Sequence, residues 1–241
     1  MNSLILILLS TFIVSLISLI GVITLGLKHN VLEKILLILV ALSAGALMGG
    51  AFLHLIPEAI ATGTKNVFLF VLIGFVLFFL IEKILHWRHC HKENCNIHTF
   101  AHMSWVGDSI HNFIDGLIIA GSFMVNTPLG ITTTIAVIFH EIPQEIGDFG
   151  VLIYAGVKKS KALLLNFVSA LAAVLGGLIG YFLPSNLSLF LIPFAAGGFI
   201  YISASDLVPE LRKELSFRKS LLVFGFFILG IVFIYLFGLV E

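Results

Sequence analysis

The sequence has little charge. Only 11% of its 241 residues are Asp, Glu, Lys or Arg, where a water-soluble domain carries about a quarter. Its two cysteines, Cys90 and Cys95, are too few for a disulfide-built scaffold. There is no low-complexity tail and no polar stretch long enough to act as a linker, so residues 1–241 read as a single domain. No basic segment precedes the first apolar run and no A-x-A-like site follows it, so that run is expected to stay in the protein. The formal net charge of zero gives no hint of a nucleic-acid partner.

What fills the space is hydrocarbon. Hydrophobic residues make up 59% of the chain, and Phe alone occurs 23 times. A soluble fold of this length has nowhere to hide that much apolar surface, so the expected solvent is a lipid bilayer. Crossing its core takes roughly 20 apolar residues as helix. Eight such runs are present: Leu4–Leu27, Glu33–Thr62, Val67–His86, Met103–Met124, Leu129–Gly156, Ala162–Leu183, Leu187–Glu210 and Ser220–Leu239. They are too long for barrel strands, and helices satisfy their own backbone groups where lipid cannot. The predicted fold is an all-α polytopic membrane protein with eight transmembrane helices.

Charge sets the expected orientation. Of the thirteen Lys and Arg residues, all but Lys65 fall in the odd-numbered loops: Lys28 and Lys34; Lys83, Arg88 and Lys92; Lys158, Lys159 and Lys161; Arg212, Lys213, Arg218 and Lys219. Short cytoplasmic loops carry the excess of Lys and Arg. The odd loops therefore face the cytoplasm and both termini lie outside. Cys90 and Cys95 fall on the reducing side, so no disulfide is expected between them.

Two helix ends echo each other. The second run ends in His54-Leu-Ile-Pro57-Glu58 and the seventh in Asp206-Leu-Val-Pro209-Glu210, with Gly49-Gly50 and Gly197-Gly198 upstream. In the topology above, one of these helices runs outward and the other inward. That predicts a 3+2+3 arrangement in which helices 1–3 and 6–8 form an inverted repeat, as in secondary transporters. The plainer alternative is that Pro-Glu marks two unrelated helix ends.

The fourth and fifth runs break the apolar rule. They contain Asp108, His111, Asp115, His140, Glu141, Glu145 and Asp148 inside the spans. Ionisable groups at membrane depth are costly and mark pathways. Residues three or four apart share a helix face. His111 and Asp115 are so related, as are Asn112 and Asp115, His140 and Gln144, and Glu141 and Glu145. Each helix thus offers a nitrogen donor with oxygen donors one turn away, and facing helices would converge them on one or two ions. Imidazole with carboxylate suits zinc, iron and similar first-row metals. Pro143 sits in this cluster, and it should free the carbonyl of Phe139, four residues back.

These residues resemble a known family. His111-Asn112-Phe-Ile-Asp115-Gly116 is similar to the HNxxDG motif of the fourth helix of ZIP (Zrt/Irt-like) metal transporters. His140-Glu141-Ile-Pro143-Gln144-Glu145-Ile-Gly147-Asp148 resembles the HExPHExGD signature of one branch of that family. The resemblance implies transport of a divalent transition metal toward the cytoplasm. Zinc is first choice, with iron, manganese or cadmium as other cargoes. One implied site uses His111, Asp115, His140 and Gln144. An adjoining one uses Asn112, Asp115 and Glu141, with Gln144, and Glu145 stands beside them as a further metal candidate. The resemblance also implies a homodimer in the bilayer and no catalytic cofactor. The cargo metal is a substrate. The expected location is a plasma membrane, on the short N-terminus, with an intracellular organelle as the alternative. One departure stands out: Gln144 replaces the second histidine of the signature, a neutral oxygen donor for an imidazole.

Further candidates lie outside this cluster. His54 and Glu58 are expected at the entrance, Asp206 and Glu210 at the exit, or else all four touch lipid headgroups. Asp108 and Asp148 extend the pathway. Asn166 either faces the site or makes an interhelical hydrogen bond. The cytoplasmic loop 87–102 holds His89, Cys90, His91, Cys95 and His98, which either accept arriving metal or are incidental. The rival functions are an intramembrane zinc hydrolase and a metal sensor without flux. His140-Glu141 invites comparison with H-E-x-x-H, but Gln144 stands at the last position, and the chain is not expected to be an enzyme.

Overall fold

The computed structural model describes residues 2–24, 29–87, 97–212 and 216–238. Every regular element among them is helical. Helix α1 (Ser3–Ile17) passes through a 3₁₀ turn (Ser18–Ile20) into the short α2 (Gly21–Thr24). Helix α3 (His29–Gly49) continues through a π-helical stretch (Gly50–Leu55) into α4 (Ile56–Ala61). Then come α5 (Val67–Trp87), α6 (Ile97–Val125) and α7 (Thr127–Tyr154). Helices α8 (Lys159–Ala170) and α9 (Ala172–Tyr181) follow, broken only at Leu171. Helix α10 (Ser185–Tyr201) runs through a second π-helical stretch (Ile202–Leu207) into α11 (Val208–Leu211), and α12 (Phe217–Gly238) completes the set.

Six of the helical segments are long and apolar enough to cross a membrane: Ser3–Ile20, Lys34–Ala61, Val67–Ile84, Lys159–Tyr181, Leu189–Leu211 and Phe217–Phe237. Helices α6 and α7 are as long, at 29 and 28 residues, but they carry the polar residues singled out above. They lie at the centre, where α3, α8, α9 and α10 pack around them, and α1 covers one side. The outermost spans show the opposite pattern. Phe68, Leu72, Phe217, Leu221 and Phe224 all stand more than half exposed, which suits hydrocarbon as the surrounding medium.

Close backbone approach holds the outer helices together. A Cβ at Gly45 of α3 would lie 2.0 Å from the carbonyl oxygen of Phe227 in α12, and one at Gly230 of α12 would lie 2.3 Å from that of Leu42 in α3. The α5–α10 pair repeats the pattern: a Cβ at Gly74 would lie 2.1 Å from the Phe194 carbonyl oxygen, and one at Gly197 would lie 2.0 Å from that of Val71. Small residues let membrane helices approach closely enough to gain dispersion contact, since hydrocarbon offers no hydrophobic drive between them.

Three local features follow from side chains that complete the backbone. Asn126 alone links α6 to α7; its side chain accepts from the Leu129 amide at 2.7 Å and caps α7, while its Nδ2 donates to Glu58 at 3.0 Å. The break at Leu171 leaves the Ala170 carbonyl accepting from Ser15 Oγ at 2.7 Å. Helix α7 runs on through Pro143, and the Phe139 carbonyl that the proline frees accepts from Ser43 Oγ of α3. The sequence predicts that lost partner, and a neighbouring helix supplies it.

Candidate metal centre

Helices α6 and α7 bring four side chains to one point. His111 and Asp115 come from α6, one turn apart; His140 and Glu141 come from α7, just before Pro143. One ligand atom from each lies within 4.8 Å of all the others. The two Nε2 atoms face each other at 3.1 Å. Asp115 Oδ2 is 3.1 Å from His140 Nε2 and 3.5 Å from His111 Nε2. Glu141 Oε1 is 3.5 Å from both imidazoles.

Burial makes this arrangement demanding. Asp115, His140 and Glu141 are fully buried, and the His111 side chain is only 16% exposed. His140 Nδ1 lies 3.3 Å from the Ala136 carbonyl. With the proton on Nδ1, donated to that carbonyl, Nε2 would keep the lone pair that a metal takes, as in a metal-ligating histidine. Both oxygens of Asp115 and of Glu141 lack a hydrogen-bond partner. An unpartnered buried acceptor costs about 1–3 kcal/mol, and more when charged. A divalent cation here would meet two imidazole nitrogens and two carboxylates, a mixed N/O set suited to zinc and its first-row neighbours.

A cavity of about 420 Å³ reaches the cluster at His111. Its acidic lining comprises Glu82, Asp108, Asp148 and Asp206, and its lining residues include no Lys or Arg. Tyr201 donates its hydroxyl to Glu82. Of the residues singled out in the sequence, Asp108, Gln144, Asp148 and Asp206 all border this space. Glu82 and Ser43 were not singled out. Glu82 carried a legible signal, a carboxylate inside an apolar run, whereas Ser43 carried none, because its role depends on which helix lies beside Pro143.

The remaining candidates sit elsewhere. Asn112 is fully buried and donates to Asp108 Oδ1 at 2.9 Å. Glu145 accepts from Asn166 Nδ2 at 2.6 Å, so Asn166 makes an interhelical hydrogen bond. His54 meets the Ile234 carbonyl of α12 at 3.0 Å, and Glu58 bonds Asn126. Neither borders the cavity, and Glu210 lies exposed in α11. His89, Cys90, His91 and Cys95 lie outside the described residues, and His98 falls in the first turn of α6.

Comparison with known proteins shows the family of the chain. The sequence model of the family described as ZIP zinc transporter matches residues 2–103 and 88–238. The zinc transporter zipt-7.2 of Caenorhabditis elegans is 30% identical over 272 residues, covering 86% of this chain and 59% of its own length. Zinc transporter ZIP13 of Pongo abelii is 31% identical over 220 residues, covering 83% and 66%. Zinc transporter YKE4 of Saccharomyces cerevisiae is 30% identical over 247 residues, covering 87% and 71%. The chain thus spans between 59% and 71% of the length of these relatives. With the family match running across nearly every described helix and the four-residue cluster lying inside it, the chain belongs to the ZIP zinc transporter family.

Proposed function

We propose that the chain carries a divalent transition metal, zinc first, across a membrane, with His111, Asp115, His140 and Glu141 as its central binding site. The observation that carries this reading is the cluster itself: four ligand atoms within 4.8 Å at membrane depth, joined to an acidic cavity. The names of the relatives, all zinc transporters, support the choice of metal. Gln144 lines the cavity beside His111 and joins the ligand set as an oxygen donor. That softens the preference for zinc and leaves room for iron, manganese or cadmium.

The same reading takes eight spans in a 3+2+3 arrangement, α6 and α7 being the central two. It is supported by the exchange of packing partners: α3 pairs with α12 as α10 pairs with α5. It is also supported by the two π-helical stretches. Each is six residues long, each holds an ionisable residue at its fifth position (His54, Asp206), and each is followed by X-Pro-Glu. Glu82, Asp108, Asp148 and Asp206 all lie toward the ends of their helices that meet the basic odd loops. On the positive-inside rule the cavity then opens to the cytoplasm, both termini lie outside, and metal leaves inward past Asp206. The protein works as a homodimer in the plasma membrane, and the 87–102 loop takes up metal as it emerges. Asn112, with Asp115 and Glu141, holds a second ion.

Metal uptake by liposomes containing purified protein tests this function. Saturable Zn²⁺ flux in the wild type, lost in His111→Ala/His140→Ala, is the expected result. Zinc binding without flux would turn the reading to a sensor.

A further inference from the structure

The paired glycines Gly49-Gly50 and Gly197-Gly198 take no part in the metal centre described above. The two members of each pair do different things. The first packs against a neighbouring helix backbone: a Cβ at Gly49 would lie 3.3 Å from Ile231 Cα of α12, and one at Gly197 would lie 2.0 Å from the Val71 carbonyl oxygen of α5. The second lies under a phenylalanine ring. A Cβ at Gly50 would lie 3.7 Å from the ring of Phe199, and one at Gly198 only 2.6 Å from that of Phe78. Those two rings stand behind the two imidazoles. Phe78 meets His111 at 89° with ring centres 6.4 Å apart, and Phe199 meets His140 at 61° and 6.1 Å.

The two sides are unequal. Phe199 and His140 are buried, and neither is among the described residues that line the cavity. Phe78 and His111 both line it, and His111 is the most exposed of the four candidate ligands. His111 therefore has space to turn into, and the ring beside it is Phe78. Phe78 is itself held by Phe194, with ring centres 6.1 Å apart, and by its seat on Gly198.

We propose that Phe78 is the positioning residue of the metal centre: seated on Gly198, it holds the His111 ring turned into the cluster and so sets how long the metal stays before it leaves through the cavity. This rests on the proposed transport function and deepens it. Phe78 has no atom that can ligate, so it acts only through His111. A T-shaped aromatic pair at this separation favours its ring orientation by about two- to tenfold. Without that contact the His111 side chain can take another staggered rotamer toward the cavity. A cation that loses one of its ligands leaves faster, and changes in affinity fall mainly on the release rate.

The test uses full-length protein in detergent, with Zn²⁺ affinity read by chelator competition and Zn²⁺ release by stopped flow. Phe78→Ala is expected to weaken binding and speed release by about two- to tenfold. Gly198→Ala should do the same without altering Phe78, because the added methyl takes the place of the ring edge. Gly50→Ala is the matched control: its methyl meets Phe199 at an ordinary contact distance, and both readings should stay at wild type. In a His111→Ala background the remaining ligands hold Zn²⁺ more weakly, and there Phe78→Ala should have no further effect. A merely structural phenylalanine would weaken binding equally in both backgrounds. Unchanged affinity in either Phe78→Ala or Gly198→Ala, or an equal loss with and without His111, overturns the proposal. If His111→Ala alone leaves Zn²⁺ affinity unchanged, the metal site itself falls and the proposal with it; a normal His111 effect without a Phe78 effect ends only the part given to Phe78.

Discussion

At the scale of single residues, the candidate metal centre is a problem of buried carboxylates without hydrogen-bond partners. Asp115 and Glu141 are fully buried with no hydrogen bond to either carboxylate, and the two imidazole rings lie 3.1–3.5 Å away. His140 Nδ1 lies 3.3 Å from the Ala136 carbonyl, a contact that suits a ring offering its Nε2 to a metal. Replacing His140 with Ala removes that ligand and is expected to weaken Zn²⁺ binding by at least about 100-fold, as measured by titration calorimetry in detergent. An affinity within threefold of wild type would remove His140 from the site. Ser43 acts on the same centre from behind. Its hydroxyl satisfies the carbonyl that Pro143 strips of its helical partner, directly before His140 and Glu141. Ser43→Ala leaves that buried carbonyl orphaned and should lower stability by about 1–3 kcal/mol. Thermal unfolding in detergent reads this directly, and an unshifted melting temperature would mean that the bond contributes nothing net.

At the scale of elements, glycine decides which helices can meet. The α3–α12 and α5–α10 contacts are backbone against backbone, with a glycine from each helix opposite a carbonyl of its partner. Gly45→Val is expected to force α3 from α12 and to cost about 3 kcal/mol or more, since the obstructing atom is main chain and cannot rotate away. Gly225→Ala is the matched control: a Cβ there meets nothing within 4 Å. It should be neutral or slightly stabilising, because Ala is a better helix former. If both variants melt alike, close packing is not what joins these helices. The element scale also shows where sequence reading stops. The apolar runs were legible because lipid imposes length and continuity. The break at Leu171 was not, since it is completed by Ser15, a residue far away in the chain. The two π-helical stretches were visible only as their shadow, the repeated X-Pro-Glu. His54 reads as a pathway residue from its depth alone, yet its ring meets the Ile234 carbonyl, a partner set by packing. The histidine and acid positions of α6 and α7 were legible because helical spacing alone puts each pair on one face. Their convergence to 4.8 Å needed the helix pairing.

At the scale of the whole molecule, charge is sorted along one axis. Lys and Arg gather in the odd loops, while carboxylates line the cavity, whose described lining residues include no Lys or Arg. Asp108, Asp148, Asp206 and Glu82 all line the cavity that reaches His111, so a cation leaving the cluster through it would meet these acids. The two ends of the molecule are unequal, because His54 and Glu58 are engaged by Ile234 and Asn126 while Asp206 borders open space. This asymmetry can be tested by thiol labelling in a chain whose Cys90 and Cys95 are replaced by Ser. Asp206→Cys is expected to react with an impermeant maleimide only from the side of the odd loops, and bound Zn²⁺ should slow the reaction by obstructing the cavity. Glu58→Cys should react only from the opposite side. Reaction of both positions from one face would mean that α3 and α10 do not run in opposite senses across the membrane, and the inverted repeat would fail with them. Labelling of Asp206→Cys that zinc leaves unchanged would separate the cavity from the metal's path, and the route from His111 to the cytoplasm would have to lie along another face of α6.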